Sequence, residues 1–192
     1  MSADEKAVIR YIADAGQSKF TVQAFASGLL SGFGHNPNIA IRDFTGEAQC
    51  VPGSLTNASV RFAINAESLA VIDDVKEKDR KEIENMMHDT VLETSRYPEI
   101  SFQSTNITVT RIVVGRYKAR IIGELTMHGV TRGNLWIQAQ VKIEGERLRA
   151  TGDFSLKQTD YNIKLVSVAG GALKLKDELK FTFDIAAHQE QV

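Results

Sequence analysis

Tyr117-Lys118-Ala119-Arg120-Ile121-Ile122-Gly123-Glu124-Leu125-Thr126-Met127, the turn His128-Gly129, and Leu135-Trp136-Ile137-Gln138-Ala139-Gln140-Val141-Lys142-Ile143 together decide the fold. In the first run Tyr117, Ala119, Ile121, Gly123, Leu125 and Met127 fall on one face, against Lys118, Arg120, Glu124 and Thr126. In the second, Leu135, Ile137, Ala139, Val141 and Ile143 oppose Trp136, Gln138, Gln140 and Lys142. A period of two with one apolar face marks an antiparallel strand covered on one side.

The same pattern extends both ways along the chain. Beyond Glu144-Gly145-Glu146, Leu148, Ala150, Gly152, Phe154 and Leu156 alternate with polar residues, and Leu179, Phe181, Phe183 and Ile185 form a last strand. Upstream, strands are predicted over Lys19–Ala26, Ile39–Cys50, Asn57–Ala66 and Glu99–Val109. Ile39 and Ile41 are out of phase with Phe44, Gly46 and Ala48, which predicts a bulge near Asp43. Eight strands result, separated by Pro52-Gly53-Ser54, Val114-Gly115-Arg116 and similar turns. Long consecutive strands with short turns favour an up-and-down barrel or a meander.

One segment breaks the pattern. From Asp74 to about Glu93, Val75, Ile83, Met86, Met87, Val91 and Leu92 have helical spacing. Glu77/Lys81 and Lys78/Glu82 stand four apart on its polar face, Asp73 or Asp74 is placed to cap it, and His88 should be solvated. Pro98 forbids its continuation.

With 192 residues and 43% hydrophobic residues, the chain suits one domain with a sizeable core. A lead-in is expected over residues 1–17 and a single barrel domain over 18–192. The balance of 23 Lys+Arg against 24 Asp+Glu gives no general electrostatic reason to bind nucleic acid or an anionic surface; a local basic patch stays open. No integral membrane segment is expected, because the apolar run from Phe20 to Leu30 is too short and too polar. The chain as written reads as cytoplasmic, or as periplasmic if a signal peptide has been removed. Cys50, the single cysteine, rules out an internal disulfide and reads as a small half-buried strand residue.

Catalytic signals are sparse. No serine has the G-x-S-x-G context, and Gly32-Phe33-Gly34 lacks the third glycine of a dinucleotide loop. No pair among His35, His88, His128 and His188 has metal-ligand spacing, so neither a metal nor a cofactor is expected.

Three stretches, in order, resemble the YceI-like family. Arg96-Tyr97-Pro98-Glu99-Ile100-Ser101-Phe102-Gln103-Ser104-Thr105 is similar to its Y-P-x-I-x-F-x-S-T segment. Gly123-Glu124-Leu125-Thr126-Met127-His128-Gly129-Val130-Thr131-Arg132 is similar to G-x-L-T-[IM]-H-G-V-T-[RK]. Ala150-Thr151-Gly152-Asp153-Phe154-Ser155-Leu156, with Asp160-Tyr161-Asn162-Ile163 after it, is similar to A-x-G-x-F-x-[LV] and D-[YF]-x-I. The likeness spans roughly residues 18 to 187. It implies an all-β, eight-stranded antiparallel lipocalin-like barrel with one α-helix packed across it. It further implies a lumen for a long apolar ligand, a polyisoprenoid or another lipid, and a shape compatible with a homodimer.

The lumen should be lined by Phe20, Val22, Val60, Phe62, Ile64, Phe102, Ile121, Leu125, Leu135, Ile137, Phe154, Phe181 and Phe183. A barrel of eight strands can be filled by side chains or hold one ligand. Ala24, Ala119, Gly123, Ala139, Ala150 and Gly152 share the inner phase and should leave room. His35, Arg42, His128, Arg132, Lys157 and Lys164, at strand ends or in loops, are candidates for a ligand head group at the mouth. The segment Val166 to Leu175 could be a flap or an ordinary loop. Two other functions compete with carriage or storage of a lipid: an enzyme or stress factor using His35, His128 and Asp160 around the pocket, and an interaction module presenting the helix.

Overall fold

The computed structural model describes residues 8–27, 36–51, 55, 57–168, 170 and 173–190. The turn expected at Pro52-Gly53-Ser54 and the candidate His35 lie outside them. The first strand, β1, runs over Ile9–Ser27, so half of the expected lead-in already belongs to the barrel. The reason is a change of phase. Tyr11 and Ala13 face inward on odd positions, whereas Phe20, Val22 and Ala24 do so on even ones. Between them the pairing shifts register from Asp14 to Lys19. There Asp14 holds the irregular backbone: its carboxylate accepts from the Gln17 amide and its carbonyl from the Ser18 hydroxyl.

The remaining strands are β2 (Asn38–Ile41), β3 (Phe44–Cys50), β4 (Ser59–Asn65), β5 (Leu69–Val71), β6 (Glu99–Val113), β7 (Arg116–Met127), β8 (Val130–Glu144), β9 (Arg147–Lys157), β10 (Ser167–Val168) and β11 (Leu173–Gln189). β2 and β3 are the two halves of the strand expected over Ile39–Cys50, broken at Arg42–Asp43 where its phase changes. Likewise β5 prolongs β4 after a 3-10 turn at Ala66–Ser68. The order is β11-β9-β8-β7-β6-β4-β3-β1, all antiparallel, and β1 pairs back onto β11 from Tyr11↔Gln189 to Ser27↔Lys174. The result is a closed eight-stranded barrel. Within the segment Val166 to Leu175, β10 pairs with β11, and residues 169, 171 and 172 lie outside the description.

Helix α1 (Glu77–Asn85) continues as a π-helical turn over Met86–Val91. Its expected cap does something else. Lys76 holds the N-cap position, and the Asp73 carboxylate instead accepts from the Asn38 backbone N–H (2.7 Å) and side-chain amide (2.8 Å), tying the approach of the helix to β2. β5 ends its branch of the sheet, and an edge strand leaves backbone groups unpaired. The helix supplies the partners. Val71 N–H donates to Glu84 (2.9 Å), and His88 Nε2 meets the Leu69 carbonyl at 3.0 Å. His88, expected in solvent, is therefore half-buried against the sheet edge. No helix among the described residues is long and apolar enough to cross a membrane.

Inside the barrel, phenylalanine rings meet in a chain. Phe154 and Phe181 stack at 4.7 Å, Phe20 packs edge-on to Phe181, Phe183 and Phe44, and Phe44 touches Phe62. Gly123 and Gly152, expected from sequence to leave room, instead seat aromatic rings, as does Gly46. A Cβ on Gly46 would overlap the Phe62 ring, one on Gly123 the Phe102 ring, and one on Gly152 the Phe183 ring. A glycine opposite an aromatic ring lets the ring lie flat on the backbone. The space that remains open is bordered by alanines instead, among them Ala13, Ala48, Ala119, Ala139 and Ala187.

On the outer face Glu47 is only 8% exposed, because Arg10, Arg61 and Gln49 cover its carboxylate. These donors, Arg10 foremost, hold its carboxyl at about 2 rather than the usual 4.5. A carboxyl depressed on folding adds stability that is complete above its unfolded value and lost as pH falls toward the folded one. Glu47→Gln should therefore lower stability in denaturant titrations at pH 7, and its deficit against the parent should shrink between about pH 4.5 and 2.

Candidate functional site

The closed wall surrounds one large apolar space of about 780 Å³, within the roughly 300–1,000 Å³ typical of small-molecule sites. Inward-facing positions of every long strand contribute, and all thirteen residues expected in the lumen, from Phe20 to Phe183, line it. Two apolar clusters make up the interior. The larger runs from Val22, Phe44 and Phe181 to Met87, Leu92, Met127, Tyr161 and Ile163 at the helix end; the smaller gathers Tyr11, Cys50, Leu55 and Ala187 at the opposite end. Sequence reading missed Tyr11 and Ala13, which stand on the far side of the phase change, and also Ile83, Met86, Met87 and Val91, by which the helix closes one end. The helical spacing of that apolar stripe was the available signal.

Burial defines the chemistry of the wall. Cys50 is 6% exposed, more deeply placed than expected, and burial pushes its thiol up from the ordinary value, so it is a poor nucleophile at neutral pH. Burial raises the Tyr11 hydroxyl in the same way. Apart from Glu47, whose carboxylate is held on the outer face, the acidic residues of the wall, Asp73, Asp79 and Glu82, come from the helix and its approach, and Lys174 of β11 is the base among them. Among the described residues, no group of three His, Cys, Asp or Glu side chains could hold a metal ion.

Of the residues expected at the mouth, the five that are described do not line this space. Arg42 is exposed at the break between β2 and β3, and Lys157 and Lys164 are exposed around the 3-10 turn Gln158–Tyr161. His128 and Arg132 do not reach the cavity either, because both are bound within the fold. His128 Nε2 meets the Glu93 carboxylate at 2.7 Å and Nδ1 the Tyr161 carbonyl at 3.1 Å, while Arg132 Nε donates to the Asp160 carbonyl at 2.7 Å. Tyr97 packs on the His128 ring at 4.6 Å between centroids, and a Cβ on Gly129 would press into Tyr97. With positive φ at both His128 and Gly129, this hairpin turn matches the right-handed twist of its strands. Tyr97-Pro98, His128-Gly129 and Asp160-Tyr161 are thus one knot at the helix end of the barrel. His128 and Asp160 are not among the residues that line the cavity.

The sequence model of the YceI-like domain matches residues 11–187. The chain belongs to the YceI-like family. Solved structures similar to this YceI-like protein agree in fold. BcnA of Burkholderia cenocepacia is 16% identical with a TM-score of 0.68, covering 91% of this chain and 98% of its own. A polyisoprenoid binding domain from Saccharophagus degradans, implicated in plant cell wall breakdown, is 14% identical with a TM-score of 0.65, covering 94% and 98%. The Campylobacter jejuni YCEI protein is 14% identical with a TM-score of 0.56, covering 82% and 87%. No curated protein matches the chain.

For this YceI-like protein the knot around His128 is structural. His128→Ala leaves the buried Tyr161 backbone and Glu93 without their shared partner, and should cost about 1–3 kcal/mol in denaturant unfolding. Uptake of an apolar probe at a temperature where the variant is folded should be unchanged, since the ring does not line the cavity.

Proposed function

We propose that the protein binds a long-chain apolar molecule, of polyisoprenoid or fatty-acid type, in the barrel lumen, and so carries or stores it. The observation that carries this reading is the space of about 780 Å³ inside the barrel, behind an apolar wall. Such a space is too large to be a packing fault, since few voids in a protein core exceed the size of a water molecule. The naming of a structural neighbour as a polyisoprenoid binding domain supports the ligand class. The energetics need no catalytic group. Each buried CH₂ contributes roughly 0.8 kcal/mol, so about ten carbons contribute on the order of 8 kcal/mol before association costs. The apolar residues of the helix complete the wall, which gives the helix a role inside the barrel as well as an exposed face.

Organic extraction of the purified protein followed by mass spectrometry tests the reading directly. A bound aliphatic or isoprenoid species is expected, as is saturable uptake of a fluorescent fatty acid by the delipidated protein. Ala139, 5% exposed and opposite Ala119 on the inner wall, offers a way to fill the space. Ala139→Phe should weaken uptake about tenfold or more, as expected from displacing about two methylenes. Lys157→Ser on the exposed face should leave uptake unchanged. An empty extract with no probe uptake, or uptake indifferent to Ala139→Phe, would sink the proposal.

A further inference from the structure

The near-neutral chain is uneven in its distribution of charge. The β6–β7 hairpin turns through Ile112, Val113, Val114 and Gly115, with exposures of 54%, 55% and 81% for the three branched residues. A polar turn would join the strands equally well, so three adjacent bare apolar side chains at a hairpin tip ask for a reason. Around them, the segment from Thr110 to Arg120 contains Arg111, Arg116, Lys118 and Arg120 and no acid. All four cations are exposed, and among the described residues none enters an ion pair.

Register adds to this. Arg116 stands opposite Lys142, and Lys142 opposite Arg149, a row of like charges across three strands. Such neighbours repel. Glu144 engages Lys142 at 2.7 Å and Asp184 engages Arg149 at 2.6 Å, which leaves Arg116 without a counter-ion in the row. The adjacent β8–β9 turn carries Glu146 beside Arg147. Between Asp73 and Glu93 the balance reverses, with eight acids against four Lys and Arg.

We propose that the β6–β7 hairpin tip docks the barrel on a bilayer surface containing anionic lipids. Ile112, Val113 and Val114 enter the interface while Arg111, Arg116 and Lys118 meet lipid phosphates. A nucleic acid would use the cations but not the apolar tip, whereas an anionic bilayer uses both. The acidic segment from Asp73 to Glu93 lies away from this tip and does not oppose the approach. The cavity cluster around Tyr11 and Cys50, with Val109 and Tyr117 packed on it, lies at this end. Docking therefore sets one end of the lumen beside the bilayer, although the surface itself does not depend on what fills the lumen.

Co-sedimentation of the full chain with vesicles tests the proposal, using phosphatidylcholine alone and phosphatidylcholine mixed with phosphatidylglycerol. Binding is expected to the mixed vesicles, to fall at high salt, and to weaken about fivefold for each of Arg116→Gln and Lys118→Gln. Val113→Asp with Val114→Asp should abolish it, and the milder Val114→Ser should reduce it with the melting temperature unchanged. Absence of binding to the mixed vesicles would overturn the proposal. So would binding that survives the tip substitutions, or equal capture by soluble heparin, which has no apolar phase. Extractable ligand measured on the same samples keeps the two readings apart, because a tip variant that loses vesicles should retain its lumen content.

Discussion

Everything in this molecule depends on the seam between β1 and β11. Those two strands pair along almost their whole length, across a register shift that Asp14 and Ser18 hold in place. Closing the sheet removes its long edges, and it also forces every second side chain into one shared space. The inner face must then be apolar throughout, which is why the same alternation recurs from β1 to β11. Where the sheet is left with an edge, at β5, the helix covers it with side-chain bonds from Glu84 and His88. The helix is thus placed by the need to satisfy backbone groups, and its apolar stripe is aimed into the open end of the barrel as a result.

Much of this was legible because a period of two is written locally. The eight strands, the break near Asp43 and the thirteen lumen positions all follow from alternation within single strands. Features that depend on partners far away in sequence were not legible. The start of β1 was hidden because the alternation changes phase at Asp14 to Lys19, and only the pairing with β11 shows that Tyr11 and Phe20 share a wall. Of the two expected caps, Asp73 and Asp74, the first is engaged by the backbone and side chain of Asn38, 35 residues away. Spacing along the chain could not show that His128 has Glu93 and Tyr161 as neighbours.

The same distinction runs through the family likeness. The most recognisable words of the sequence, Tyr97-Pro98, His128-Gly129 and Asp160-Tyr161, meet each other at the helix end and fasten it. The cavity wall is built from residues that any apolar alternation could supply. The family segments thus serve both ends: their turns fasten the helix end, while Ile100, Phe102, Leu125, Met127, Ala150 and Phe154 from the same segments line the cavity.

The glycine–phenylalanine contacts have a consequence for how this barrel can vary. Gly46 with Phe62, Gly123 with Phe102, and Gly152 with Phe183 each fill one volume with two residues on neighbouring strands. Neither member can change size alone: a larger residue in place of the glycine strikes the ring, and a smaller one in place of the ring leaves a hole over bare backbone. At Gly46, where the nearest atoms all belong to the Phe62 ring, related sequences can exchange the pair large for small; at Gly123 and Gly152 a Cβ would also strike the Gln103 and Gln138 backbone carbonyls, so those glycines stay fixed. The alanines border the open space itself, so a change of size there alters the dimensions of the lumen.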